Sequence, residues 1–118
     1  MAGATIVAGM VTAAALKLYD DALALEEAGC FALVLEAVPA QVAARITEAL
    51  SIPTIGIGAG PDVSGQVLVN YDILDIYPGR KARFVKNFLE GAPSVKAAIE
   101  AYVKAVKAKA YPGPENSF

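Results

Sequence analysis

The chain has 118 residues, of which 56% are hydrophobic and 19% charged, and its formal net charge is −2. That length fits one domain with its own core, the interspersed charges leave no basic stripe for nucleic acid, and no apolar run reaches the roughly 18 residues of a membrane span. Histidine is absent and Cys30 is the sole cysteine. This excludes imidazole catalysis and an internal disulfide, and it suits a reducing, cytoplasmic setting.

The opening stretch, Met1 to Ala15, is apolar but carries no basic segment, so no signal peptide is expected. Thr5 to Gly9 reads as a short strand. From Ala14 to Ala28 the pattern is helical, with Leu16, Tyr19 and Leu23 on one stripe and Leu18, Ala22 and Leu25 beside it. Asp20, Asp21, Glu26 and Glu27 mark its solvated side, and Gly29 suits a C-terminal cap. Phe31 to Leu35 is uniformly apolar, as strands of a parallel sheet tend to be. Pro39 suits the first residue of a second helix, whose core stripe is Val42, Ile46, Ala49 and Leu50.

The next segment is the most distinctive in the chain. Ile52-Pro53-Thr54-Ile55-Gly56-Ile57-Gly58-Ala59-Gly60-Pro61 runs from a β-branched strand into alternate glycines and a proline. Such a pattern marks a strand breaking into a turn where the backbone approaches something closely. In α/β folds the C-terminal ends of parallel strands carry the sites. The amides at Gly58 and Gly60 could receive an anion; alternatively, the missing side chains make room for packing. Neither a dinucleotide fingerprint nor a P-loop is present.

Further along, Gln66 to Tyr71 favours a strand by its valines, with a helix as the alternative for so short a run, and Tyr77-Pro78-Gly79 favours a turn. Phe84, Val85, Phe88 and Leu89 suggest a short amphipathic helix ended by Gly91. Ser94 suits the N-cap of a long final helix with Val95, Ala98, Ile99, Tyr102, Val103 and Val106 inward. The tail from Tyr111 to Phe118 should be irregular. Alternating strands and helices, with about four strands, imply an α/β domain on a parallel sheet spanning 1–118.

The segments Asp21 to Gly29, Leu33 to Pro39, Ile52 to Pro61 and Gly65 to Val69, with the ending Tyr111-Pro112-Gly113-Pro114-Glu115-Asn116-Ser117-Phe118, occur in order and at natural spacing. In that combination the sequence resembles the C-terminal half of the ketopantoate hydroxymethyltransferases, from about Leu16 onward, with residues 1–15 unmatched. The resemblance implies a TIM-type (β/α)8 barrel and a step of pantothenate biosynthesis. That step transfers a hydroxymethyl group from methylene-tetrahydrofolate to 3-methyl-2-oxobutanoate, with a divalent metal, usually magnesium. A complete barrel needs roughly 200 residues or more, so this chain has room for half of one.

By the resemblance, Glu36 corresponds to the proton-accepting base. Removing a proton from the carbon beside a ketone requires a carboxylate held close to it. The competing reading places Glu36 beside the positive end of the helix that follows Pro39. The family's metal and ketoacid ligands lie mostly in its N-terminal half, and Met1 to Ala15 carries no acidic residue. No metal ligand is therefore assigned, and no cofactor is expected for this chain alone. Two places where the family commonly has histidine read Tyr71, before Asp72, and Asn116. Asp62 and Asp72 fit turns or caps, Cys30 a small buried apolar group, and Arg80, Lys81 and Arg83 a solvated face.

Three functions follow as expectations. The first is a truncated or engineered half-barrel without hydroxymethyl transfer of its own, associating with a second copy through its open sheet edges. The second is an active transferase completed by a partner chain, with the ketoacid bound only then. The third is a small anion-binding module built on the glycine turn.

Overall fold

The computed structural model describes residues 2–7 and 12–118. Four strands, β1 (Ala2–Val7), β2 (Cys30–Glu36), β3 (Thr54–Ile57) and β4 (Gly65–Gln66), form one sheet in the order β1-β2-β3-β4. Every neighbouring pair is parallel. Helix α1 (Thr12–Glu27) connects β1 to β2, and α2 (Ala40–Ala49) connects β2 to β3. A single turn, α3 (Asn70–Ile73), follows β4, and the long α4 (Val95–Lys107) comes near the end. The expected strand at Thr5–Gly9 falls partly on β1; Ala8 and Gly9 lie outside the described residues.

The sheet has two unlike faces. Register pairs Leu33 with Thr54, Val34 with Ile55, Leu35 with Gly56 and Glu36 with Ile57. Side chains alternate along a strand, so Leu33, Thr54, Leu35 and Gly56 share one face. That face is buried, and its core is Leu18 and Ala22 of α1, Leu33 and Leu35 of β2, and Ala43 and Ile46 of α2, with Val38, Leu50 and Ala59. Each fully buried Leu or Ile there contributes about 1.5–3 kcal/mol. The other face, with Val34, Ile55, Glu36 and Ile57, is only half-buried. Uniform apolarity in Phe31–Leu35 implied burial on both sides; one side is partly open, and Phe31 itself is exposed.

Which stripe of α1 faces inward is the second of the two expected. Leu18 and Ala22 are buried, whereas Leu16 is 65% exposed. Gly29 closes the helix at φ 102°, its N–H donating to the carbonyl of Glu26 at 3.0 Å. Glu26 is not on a solvated side as expected. Its carboxylate accepts the N–H groups of Ser51 at 2.6 Å and Ile52 at 3.1 Å, tying the α2–β3 connection to the end of α1. In α2 the inward residues are Ala43 and Ile46, and Ala49 points outward. The helix begins at Ala40, one residue later than expected: Pro39 is its N-cap, with an extended ψ of 135°.

A second apolar cluster joins Leu68, Ile73, Phe88, Ala98 and Tyr111, with Ile57 and Phe84 against it. Phe88, Tyr102 and Tyr111 meet edge to face, with ring centroids 5.4 to 5.9 Å apart. Ser94 caps α4 as expected, its Oγ accepting the N–H of Ala97 at 3.1 Å. Two expectations need correction here. Gln66–Tyr71 is neither one strand nor one helix: β4 ends at Gln66, the N–H of Val67 still donates to the Gly56 carbonyl of β3 at 2.9 Å, Val69 faces solvent, and α3 begins at Asn70. Phe84–Leu89 makes no helix: Phe84 and Phe88 do sit four apart, but each is held by a different partner, Gly58 and the tyrosine pair.

Burial holds the phenols of Tyr102 and Tyr111 protonated above their ordinary value of 10.0, and the neighbouring Tyr102 and Asp72 add to the shift at Tyr111. A raised folded-state pKa leaves the stabilisation intact below pH 10 and removes it as pH rises beyond that value, where the unfolded chain's tyrosines ionise first. Urea midpoints measured between pH 8 and pH 11 should therefore hold to about pH 10 and then fall. A flat profile to pH 11 would contradict the burial of these rings.

Candidate functional site

Parallel strands bring their C-terminal ends to one edge of the sheet, where Val7, Glu36 and Ile57 stand in register. Glu36 ends β2 on the half-open face. Immediately after it the chain turns sharply: Ala37 takes a left-handed φ of 54°, and its N–H donates to the carbonyl of Ile57 at 2.9 Å. Val38 then inserts fully into the core. The Glu36 backbone is thus fixed on both sides, by sheet pairing before it and by the Ala37 bond after it.

Among the described residues, the competing role for Glu36 as a cap for α2 finds no hydrogen bond, and no side chain caps that helix. The amide of Ala40 donates instead to the carbonyl oxygen of Phe118 at 3.1 Å. Among the described residues the Glu36 carboxylate makes no ion pair.

Beside it, β3 runs into the glycine turn. Gly58 and Gly60 adopt φ values of 67° and 77°, a region that L side chains rarely enter. Both positions are filled from outside. A Cβ on Gly58 would lie 2.5 Å from the Phe84 ring, and one on Gly60 would lie 2.5 Å from the Ala40 Cβ and 3.0 Å from its Cα. Gly56 is similarly crowded, its position 2.9 Å from Val63. The side chain of Gln66 donates to the carbonyl of Gly60 at 2.8 Å. Below the turn, Thr47, Thr54 and Ser64 join hydroxyls across α2 and β3. Thr47 donates to the Ala43 carbonyl at 2.8 Å, so its bond with Thr54 at 2.7 Å has Thr54 as donor. Sequence reasoning missed this network; its signal was the lone Thr54 in an otherwise apolar strand.

The remaining candidates lie apart. Asp62 is exposed and faces Lys109 at 3.6 Å. Asp72 sits in α3. Lys81 pairs with Asp75 at 2.5 Å, and the Arg83 guanidinium lies over the Phe118 ring, 5.8 Å from its centroid. Cys30 begins β2, at the opposite end from Glu36, and is half-buried. Among the described residues no three His, Cys, Asp or Glu side chains gather in a way that could hold a metal ion. A groove of about 530 Å³ opens between α1 and α2, lined by Leu16, Tyr19, Val42 and Arg45, away from the strand ends. No helix of the described residues is long and apolar enough to cross a membrane.

The model of the ketopantoate hydroxymethyltransferase family matches residues 1–114. The chain belongs to that family. The match takes in residues 1–15, for which the motifs gave no resemblance. The chain is similar to the 3-methyl-2-oxobutanoate hydroxymethyltransferases of Burkholderia mallei strain SAVP1, Burkholderia pseudomallei strain 668 and Burkholderia thailandensis. Identity to each is 59% over 112 residues, covering 95% of this chain and 41% of the relative. The chain therefore spans less than half the length of these ketopantoate hydroxymethyltransferases.

Proposed function

We propose that this chain supplies the base-bearing part of a hydroxymethyltransferase barrel, and that alone it does not transfer a hydroxymethyl group. The two-faced parallel sheet carries this reading. Sequential order with parallel pairing is the arrangement of neighbouring strands in a (β/α)8 barrel. Helices cover one face, and Glu36 ends a strand on the other, toward what would be the barrel interior. On this reading residues 1–118 form one half-barrel-like domain, working in the cytoplasm.

In the transfer from methylene-tetrahydrofolate to 3-methyl-2-oxobutanoate, Glu36 would accept the proton from the carbon beside the ketone. Its half-open position leaves the carboxylate reachable by a ketoacid. The magnesium implied by the family does not fit the described residues, which gather no set of ligands for it. The filled space at Gly58 and Gly60 favours packing over anion capture there.

The test supplies the 118-residue chain with magnesium, ketoacid and folate donor. No turnover is expected from it alone; turnover that disappears in Glu36→Gln would overturn the proposal. Transfer should appear on adding the N-terminal portion of a Burkholderia relative.

Two open sheet edges also favour self-association. Val67, Val69, Tyr71 and Ile76, all about half exposed, lie just past the β4 edge. Multi-angle light scattering should report a dimer, and a stable monomer at high concentration would dismiss edge pairing.

A further inference from the structure

The tail was expected to be irregular, and by backbone form it largely is, with only a short 3-10 turn at Pro114–Asn116. It is nonetheless fastened down. Tyr111 is 4% exposed and Asn116 7%, deep burial for two polar residues of an irregular tail. Their polar atoms go to consecutive carbonyls of one loop: the Tyr111 hydroxyl donates to Phe84, and Asn116 Nδ2 donates to Arg83 at 3.2 Å. At its far end the tail reaches α2, where the Phe118 carbonyl accepts the amide of Ala40. Arg83 completes the contact by lying over the Phe118 ring.

The loop so held has no helix or strand of its own between Leu74 and Ser94. Its Phe84 ring covers Gly58, at the end of β3. The same tail therefore grips the cover of one strand end and the helix start that follows the other strand end, at Glu36.

We propose that Tyr111–Phe118 is a latch, which holds the Phe84 segment closed over the Gly58 turn and releases it as one unit with the start of α2. The latch rests on packing and hydrogen bonds, independent of the transferase reading. A unit of this kind opens cooperatively, below the free energy of global unfolding.

Amide hydrogen exchange on the full 118-residue chain tests it, with Val85 and Ala40 as reporters because both amides are hydrogen-bonded, to Ala82 and Phe118. Tyr111→Phe removes one hydroxyl and keeps the ring. It should speed exchange at both reporters about tenfold, although they lie far apart in sequence, while amides of β2 and mid-α4 keep their rates. Asn116→Ala should open the same pair of amides by the same route, and it leaves the aromatic cluster untouched. Acceleration at Val85 alone, or at neither reporter, would overturn the latch. So would equal acceleration at β2 and α4 in both variants, since that would mean the tail merely adds global stability.

Discussion

Glu36→Gln is expected to lower hydroxymethyl transfer about 100- to 10,000-fold in an assembly of this chain with the N-terminal portion of a Burkholderia relative. The amide keeps the size of the carboxylate and removes its capacity to take a proton. Nothing else should change much. Among the described residues the carboxylate makes no ion pair, and the turn behind it is set by the backbone bond from Ala37 to Ile57. The melting temperature should therefore correspond to a stability change within about 0.5 kcal/mol. Glu36→Asp supplies a graded control: it withdraws the carboxylate by one methylene, so kcat should fall while a base remains. An assembly in which Glu36→Gln keeps full kcat would end the proton-acceptor reading. A large loss of stability in that variant would mean that Glu36 holds the strand end together instead.

What the sequence made legible were features governed by neighbours along the chain. Ser94 caps α4 and Gly29 ends α1, because capping depends on residues within one turn. Glu36 at a strand end and the glycine turn beside it were readable for the same local reason. What stayed hidden depends on distant partners. Periodicity offered two stripes on α1 but could not say which one meets β2, and the choice fell to Leu18 and Ala22. Glu26 looked like a solvated acid until the α2–β3 connection folded back onto it. Phe84 and Phe88 had helical spacing, yet long-range contacts to Gly58 and to Tyr102 and Tyr111 replaced a helix. The tail read as irregular because its order comes from hydrogen bonds to Arg83 and Phe84, about thirty residues earlier, which no local pattern encodes.

The glycine turn yields the largest expected stability effect. Gly60→Ala should cost about 2–5 kcal/mol, the sum of a left-handed backbone carrying a Cβ and of overpacking against a neighbour. That neighbour cannot yield easily: the added Cβ would meet the Cβ and Cα of Ala40, the first residue of α2, and not the free end of a long side chain. Two other glycines separate these contributions. Gly29 also has a positive φ, of 102°, but open space around it, so Gly29→Ala should cost only the backbone share, about 1–2 kcal/mol. Gly65 has open space and an ordinary φ, so alanine there should stabilise by about 0.4–1 kcal/mol through the unfolded chain. Urea midpoints for the three variants should rank Gly65→Ala above the parent chain, Gly29→Ala below it and Gly60→Ala lowest. If Gly60→Ala proves no worse than Gly29→Ala, the turn is not wedged against α2. Space for an anion at its amides would then have to be reconsidered, because Ala40 is what closes that side of the strand end.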